Sequence, residues 1–245
     1  CLKSSSIGDF LYGRHGPIAE WDVSGITDMS KIFDAASSFN GDLSKWEVSN
    51  VITMSAMFAG ASLFNSDLVD WDVSSVMDMS GMFWRAVVFN GDLSKWDVSK
   101  VSSMNGMFST ATSFNGDISK WKVSSVKYMN RMFSDAKLFK SDVSIWDVSR
   151  VITMDFMFWH ADAFARALCG VTWVTSKASK MDMFTGSFGS IKRDERISAF
   201  LYRAKFENAI STCLEVSPKG DCPDGPYGPI GKWDVSKIPA MDKIF

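Results

Sequence analysis

The chain has 245 residues, a net charge of −2 and an apolar share of 46%. This apolar share is enough for a sizeable core and argues against wholesale disorder. The near-neutral charge argues against a dedicated nucleic-acid-binding protein, which normally carries a basic stripe. No transmembrane segment is predicted, because the most apolar stretch, residues 156–174, is interrupted by His160, Asp162 and Arg166.

Residues 1–16 precede the first repeat and are predicted to form an N-terminal cap or linker. They begin with Cys1 rather than methionine and show no signal-peptide pattern. We therefore expect the chain to be either processed or a piece of a longer protein.

Residues 17–190 carry a repeat with a step of 25 residues, which is clearest in the tryptophans. Columns of methionine, phenylalanine, alanine and leucine keep the same step, which indicates stacked copies of one supersecondary unit. About seven coils are predicted, the last imperfect because Trp173 follows the sixth tryptophan by 27 residues. The tryptophan column is predicted to be the centre of the core, since each indole buries about 150–250 Å². Its members are Trp21, Trp46, Trp71, Trp96, Trp121 and Trp146.

Two kinds of apolar spacing occur within each repeat. Met54, Met57, Phe58 and Ala61 follow the i, i+3, i+4, i+7 spacing of one helix face. Residues 42–48 are typical of a short strand with one buried face. The predicted fold class is therefore α/β, a solenoid of 25-residue strand–turn–helix coils with a helical cap or connector.

Asparagine, aspartate and serine also recur at the same step, as at Asn40, Asp42 and Ser49. One interpretation is calcium bound along a carboxylate ladder. The other is that these side chains satisfy backbone groups at turns. We favour the second interpretation, because the repeats lack the glycine-rich loops of calcium-binding β-rolls.

Residues 191–225 are predicted to form a helical cap and disulfide connector, with one amphipathic helix ending near Ser217. Cys213 and Cys222 flank the turn that follows and are a candidate disulfide. Cys1 and Cys169 have no obvious partner. Residues 226–245 repeat the beginning of the first coil, so they are interpreted as the first coil of a second, truncated array.

The repeated string WDVSxVxxMxxMFxxAxxFNGDLSxW, as in residues 71–96, resembles the repeat of BspA-type leucine-rich-repeat surface proteins. The resemblance covers residues 17 to about 164, and 226–245 again. It implies a right-handed leucine-rich-repeat-like α/β solenoid, a role in surface attachment or protein binding, and no catalytic residues.

No catalytic or cofactor-binding signature is visible. His15 and His160 have no metal-ligand spacing to each other or to a cysteine pair. Nucleotide-binding fingerprints and the nucleophile elbow are also missing from the sequence. We therefore predict a protein that is not an enzyme and has no cofactor and no metal site.

The candidate interface lies where the repeat varies. The position after the Met-Phe pair holds Trp84 and Trp159, followed by Arg85 and His160, in columns that are otherwise small or polar. Three steps of about 4.8 Å would place the two indoles on one face about 14 Å apart, and exposed Trp and Arg are typical interface anchors. The alternative is that both rings cover neighbouring coils.

The expected function is a non-enzymatic repeat scaffold for protein–protein interaction or surface adhesion. The partner would be a protein, a neighbouring copy or a glycan, with no nucleic acid. A structural subunit of a larger assembly is the alternative. The cysteine pair favours the cell surface, the extracellular space or an oxidising lumen.

Overall fold

The computed structural model describes residues 16–192 and 206–215. The chain forms two compact units, Cys1–Ile191 and Lys192–Phe245. Residues 1–15 of the predicted N-terminal cap or linker (1–16) and the predicted truncated coil at 226–245 lie outside the described residues.

Regular secondary structure is short in the described part of the first unit. It comprises one 3-10 helix at Ile18–Glu20, strands β1 at Ala167–Leu168 and β2 at Ser190–Ile191, and helix α1 at Val171–Thr175. β1 and β2 pair in parallel, with Ala167 opposite Ser190. In the second unit, residues 206–215 form helix α2, and none of the described helices is long and apolar enough to cross a bilayer.

Successive 25-residue coils are joined by backbone hydrogen bonds. One column of parallel bridges runs through all seven coils. Alternate N–H groups of each coil then donate to carbonyls of the next coil, as Met54 and Phe58 donate to Asp78 and Met82 at 2.8–2.9 Å. The bridge column consists of Asp28, Thr53, Asp78, Ser103, Tyr128, Thr153 and Ser179. The backbone groups are thus satisfied both between coils and, by the turns described next, within each coil.

The structure differs from the sequence prediction inside each coil, because residues 54–61 form consecutive tight turns instead of a helix. The N–H groups of Met57 and Ala61 each donate to the carbonyl three residues earlier. The third residue of each turn, Ala56 or Gly60, has a positive φ, as in a type II turn. Consecutive turns of this kind bury the same i, i+3, i+4, i+7 positions that a helix would bury.

The predicted strand at residues 42–48 is also a turn. The Asp42 carboxylate accepts the Ser44 N–H at 2.9 Å, and the Trp46 N–H donates to the Leu43 carbonyl at 3.0 Å. These local bonds bend the chain where a strand would run straight.

The core is a continuous ladder of aromatic rings. Phe58 stacks on Phe64 of its own coil at 3.9 Å and on Phe83 of the next coil at 5.6 Å. The tryptophans lie beside this ladder, and all members of the column except Trp21 are buried. Trp21, in the first coil, is 37% exposed. Burial of these rings is the main favourable contribution to stacking.

Each buried indole also bonds to the preceding coil. Nε1 of Trp96 donates to the Leu68 carbonyl at 2.9 Å, and the equivalent bond recurs from Trp46 to Trp173 at 2.8–3.2 Å. The Leu68 carbonyl also accepts the Trp71 N–H at 3.1 Å, so both its lone pairs are used.

Candidate binding surface

The recurring polar side chains serve the backbone. Asn40 accepts the N–H of Asn65 at 2.8 Å through its Oδ1, and this bond repeats along the column as far as Lys140. Asp92 accepts the Ser94 N–H at 2.9 Å. These observations match the interpretation of the polar columns as turn-forming residues.

The turn carboxylates have perturbed acidities for the same reason. The pKa of Asp92 lies below its ordinary value, first because the backbone N–H of Ser94 bonds to the carboxylate and then because the Ser94 hydroxyl does so. The same direction and the same kind of cause hold for Asp72, Asp97 and Asp117. The hydrogen bonds that cause these shifts lie within the turns, so the shifts have a structural explanation.

No group of three His, Cys, Asp or Glu side chains within residues 16–192 and 206–215 could hold a metal ion. The carboxylates instead face their own turns, as described for Asp92. The absence of a metal site, a cofactor and a catalytic activity therefore stays a prediction.

Trp84 is the clearest departure from its column. Its equivalents Ala59, Ser109 and Ser134 are buried and small, whereas the Trp84 side chain is 43% exposed. The guanidinium of Arg85 lies 5.2 Å from the centre of the Trp84 ring, within cation–π range.

Apolar side chains flank this pair. Val87 and Val88 follow in the same coil and are exposed. Leu63 of the preceding coil is exposed in the column of Val88, and the Val88 N–H donates to Ser62, next to Leu63, at 3.4 Å. We name Leu63, Trp84, Arg85, Val87 and Val88 the Trp84 patch. It combines an aromatic ring, a fixed cation and aliphatic surface on one corner of the stack.

Trp159 and His160, the other predicted pair, are less exposed than Trp84 and Arg85. Their rings contact each other at 4.0 Å, and both side chains are half-buried. The His160 ring rests on Gly186 of the next coil, where an added Cβ would lie only 2.7 Å from it. His160 therefore packs against the neighbouring coil, and Trp159 packs against His160.

A second variable face consists of the residues that precede the buried tryptophan of each inner coil, which differ from coil to coil: Lys45, Asp70, Lys95, Lys120 and Ile145. Lys95 pairs with Asp70 at 2.8 Å, and both side chains are exposed. Ile145 is 75% exposed. The charges on this face are thus partly neutralised within the face itself.

Sequence reasoning missed a shallow groove of about 540 Å³ on the first coils. Ile52 and Met77 form its apolar side, with Asn50, Ser75 and Lys100 at its polar side. Ile52 and Met77 precede the buried methionine of each coil by two residues, in a column that holds Thr27, Ser102, Lys127 and Ile152 in the other coils. Isoleucine and methionine in such a variable column were the available signal.

Cys213 lies in α2 and is disulfide-bonded. The predicted partner, Cys222, lies outside the described residues, so this pairing stays a prediction. Cys169 is a free thiol and half-buried.

The comparisons with known proteins place the chain in a family. Neither the curated proteins nor the solved structures include a significant match. The sequence pattern of one family matches residues 9–115 and, in an overlapping second match, residues 92–200. Together these matches cover most of the chain, so the protein is a repeat protein that belongs to the family described as "Mycoplasma protein of unknown function, DUF285".

Proposed function

We propose that the chain is a non-enzymatic binding scaffold, a solenoid related to the BspA-type surface proteins, that holds a protein partner on the Trp84 patch. The observation that carries this proposal is the exposed Trp84 in a column where three other inner coils bury a small residue, Ala59, Ser109 or Ser134. Packing does not require an indole there, since Ala59 and Ser109 fill the same position. A rigid aromatic ring beside an arginine is the composition typical of an interface hot spot.

The patch is better suited to a protein than to a glycan or a nucleic acid. Val87, Val88 and Leu63 add aliphatic surface to the indole, and aliphatic surface favours apolar side chains of a partner. Arg85 supplies the cation at the patch, whereas a nucleic-acid surface would need a basic stripe. We expect an acidic or aromatic partner residue to meet Arg85.

The proposed location is the cell surface, the extracellular space or another oxidising compartment. The disulfide at Cys213 supports this, because disulfides persist mainly in such compartments. We also propose that the solenoid is right-handed and that it is related to leucine-rich-repeat proteins.

The test is a comparison of three full-length proteins in binding to extracts of the source organism. Trp84→Ser introduces the residue that Ser109 and Ser134 already place in this column, so the backbone is expected to tolerate it. Ile145→Ser removes an even more exposed apolar side chain from a different face and is the control.

We expect at least one partner to bind the wild-type protein and Ile145→Ser with similar affinity. The same partner is expected to bind Trp84→Ser about tenfold or more weakly. If every partner bound Trp84→Ser as well as the wild type, the patch would not be the binding surface. Catalytic turnover that depends on described residues would refute the non-enzymatic part of the proposal.

A further inference from the structure

The contact between neighbouring coils is the same at each of its six occurrences. Four alternate N–H groups of one coil donate to four alternate carbonyls of the next. In the first coil the donors are Met29, Lys31, Phe33 and Ala35, and the bonds measure 2.7–3.0 Å. Such a row is an edge that accepts another strand-like segment wherever it is left open.

Both ends of the stack carry one half of this contact. At the seventh coil, four N–H groups occupy the donor positions and donate to no acceptor within the part of the chain that the structure describes; they belong to Lys180, Asp182, Phe184 and Gly186. At the first coil, the four matching carbonyls accept no hydrogen bond from any described residue; they belong to Asp28, Ser30, Ile32 and Asp34. One end is thus a row of donors and the other a row of acceptors at the same spacing.

The two ends also carry opposite charge. The first coil, residues 17–40, has four acidic residues against one lysine, which gives −3. The last coil, residues 173–192, has three lysines against one aspartate, which gives +2. Opposite charge on facing surfaces favours their encounter and their correct alignment.

The register within the chain predicts which side chains would meet. Lys31 and Asp182 occupy the same column, in the first and last coils respectively, and both have a positive φ. Neighbours in this column touch, since the Arg131 guanidinium lies 4.4 Å from the centre of the Phe156 ring. Pairing of the first-coil row with the seventh-coil row would therefore place Lys31 beside Asp182.

We propose that these two ends bind each other between copies, so that the donor row of the seventh coil in one copy pairs with the acceptor row of the first coil in the next. The paired rows repeat the backbone hydrogen bonds that already join coils within the chain. The contact is head-to-tail, so each added copy leaves one donor row and one acceptor row open for the next. This self-association is separate from partner binding at the Trp84 patch.

The test is sedimentation velocity of the full chain over a range of concentrations at low and high salt. We expect the average mass to rise with concentration beyond that of a dimer, and to rise less at high salt. Asp182→Lys places two lysines face to face and is expected to weaken association about tenfold or more. Lys is compatible with the backbone there, because Lys31 and Arg131 hold the same positive φ in this column.

Charge exchange provides the specific control. Lys31→Asp alone is expected to weaken association as Asp182→Lys does, whereas the double variant and an equimolar mixture of the two single variants are expected to restore it. Glu47→Lys makes the same change of net charge at an exposed position of an inner coil and is expected to leave association unchanged.

A protein that stays monomeric at every concentration would overturn the proposal. The proposal would also be overturned if Asp182→Lys left the association constant unchanged, or if the charge exchange did not restore the association that the single variants weaken. Hydrogen exchange of the wild type tests the contact without any variant: amides 182 and 184 should become protected as concentration rises, and unchanged exchange in an associated sample would also overturn it.

Discussion

Replacing Trp96 by phenylalanine removes one indole N–H from the middle of the stack while keeping an aromatic ring at that position. The lost bond, from Nε1 to the Leu68 carbonyl at 2.9 Å, is buried. Because Leu68 still accepts the Trp71 N–H, no buried group is orphaned, and the loss is about 0.5–1.5 kcal/mol. The smaller ring also gives up the equivalent of two or three buried methylenes, about 2 kcal/mol. The expected decrease in the free energy of unfolding is therefore about 2–4 kcal/mol.

The assay is urea unfolding followed by circular dichroism, with Trp21→Phe as the control in the same column. Trp21 is partly exposed, and its Nε1 donates to Gly16 at 3.3 Å, within its own coil. Replacing Trp21 is expected to lower the free energy of unfolding by less than about 1 kcal/mol. The slope of that free energy against urea concentration is expected to stay the same. An equal decrease in the free energy of unfolding for the two variants would show that the indole-to-carbonyl bond does not hold neighbouring coils together.

Three further predictions concern the turns and the cysteines. Thr110 is β-branched and has a φ of 60°, so Thr110→Gly should relieve backbone strain and raise the free energy of unfolding by about 0.5–1 kcal/mol in urea titrations; a decrease would contradict this. The folded-state pKa of Asp92 is lowered, so its contribution to stability is present above the ordinary aspartate pKa and is lost as pH falls through the folded value; Asp92→Asn should flatten the stability profile on the acid side, and an unchanged profile would refute the assignment. Alkylation of the native protein should label Cys169 but label Cys213 only after reduction, and peptide mapping should find Cys213 linked to Cys222.

The repeat is visible in the sequence because every inner coil presents its neighbours with the same contacts. Trp71, Trp96 and Trp121 occupy equivalent positions and bond to equivalent carbonyls. A column of identical side chains is therefore maintained wherever a coil lies between two others. Trp21 has the same spacing but a partly exposed ring, because it lies in the first coil.

The conformation within each coil was not predictable from spacing alone. A helix and a series of type II turns bury the same positions, and glycine would be the usual signal for the turns. The left-handed positions often hold other residues, however, including Thr110, Asp135 and Phe156. Contacts between coils over-determine the backbone there, so the local sequence gives little indication of it.

The sequence predicted which column of the repeat varies at the candidate site, but not which of its two tryptophans is exposed. Trp84 and Trp159 depart from the column equally in the sequence. Their different exposure depends on the next coil, where Gly186 leaves room for the His160 ring that packs against Trp159. Such a difference arises from neighbours 25 or more residues away, which spacing within one coil does not report.

The bonding between coils also bears on how such a chain can change its length in evolution. Most backbone bonds between coils join residues 24 or 25 positions apart, such as Met54 to Asp78 and Ile52 to Thr27. Duplication or loss of one 25-residue segment would therefore leave the surroundings of every remaining inner residue unaltered. A gain or loss of a single residue would instead put whole columns out of phase unless a corner absorbed it, as the corner at Val171–Thr175 does where the tryptophan step lengthens to 27. Related genes should accordingly differ by whole multiples of one unit.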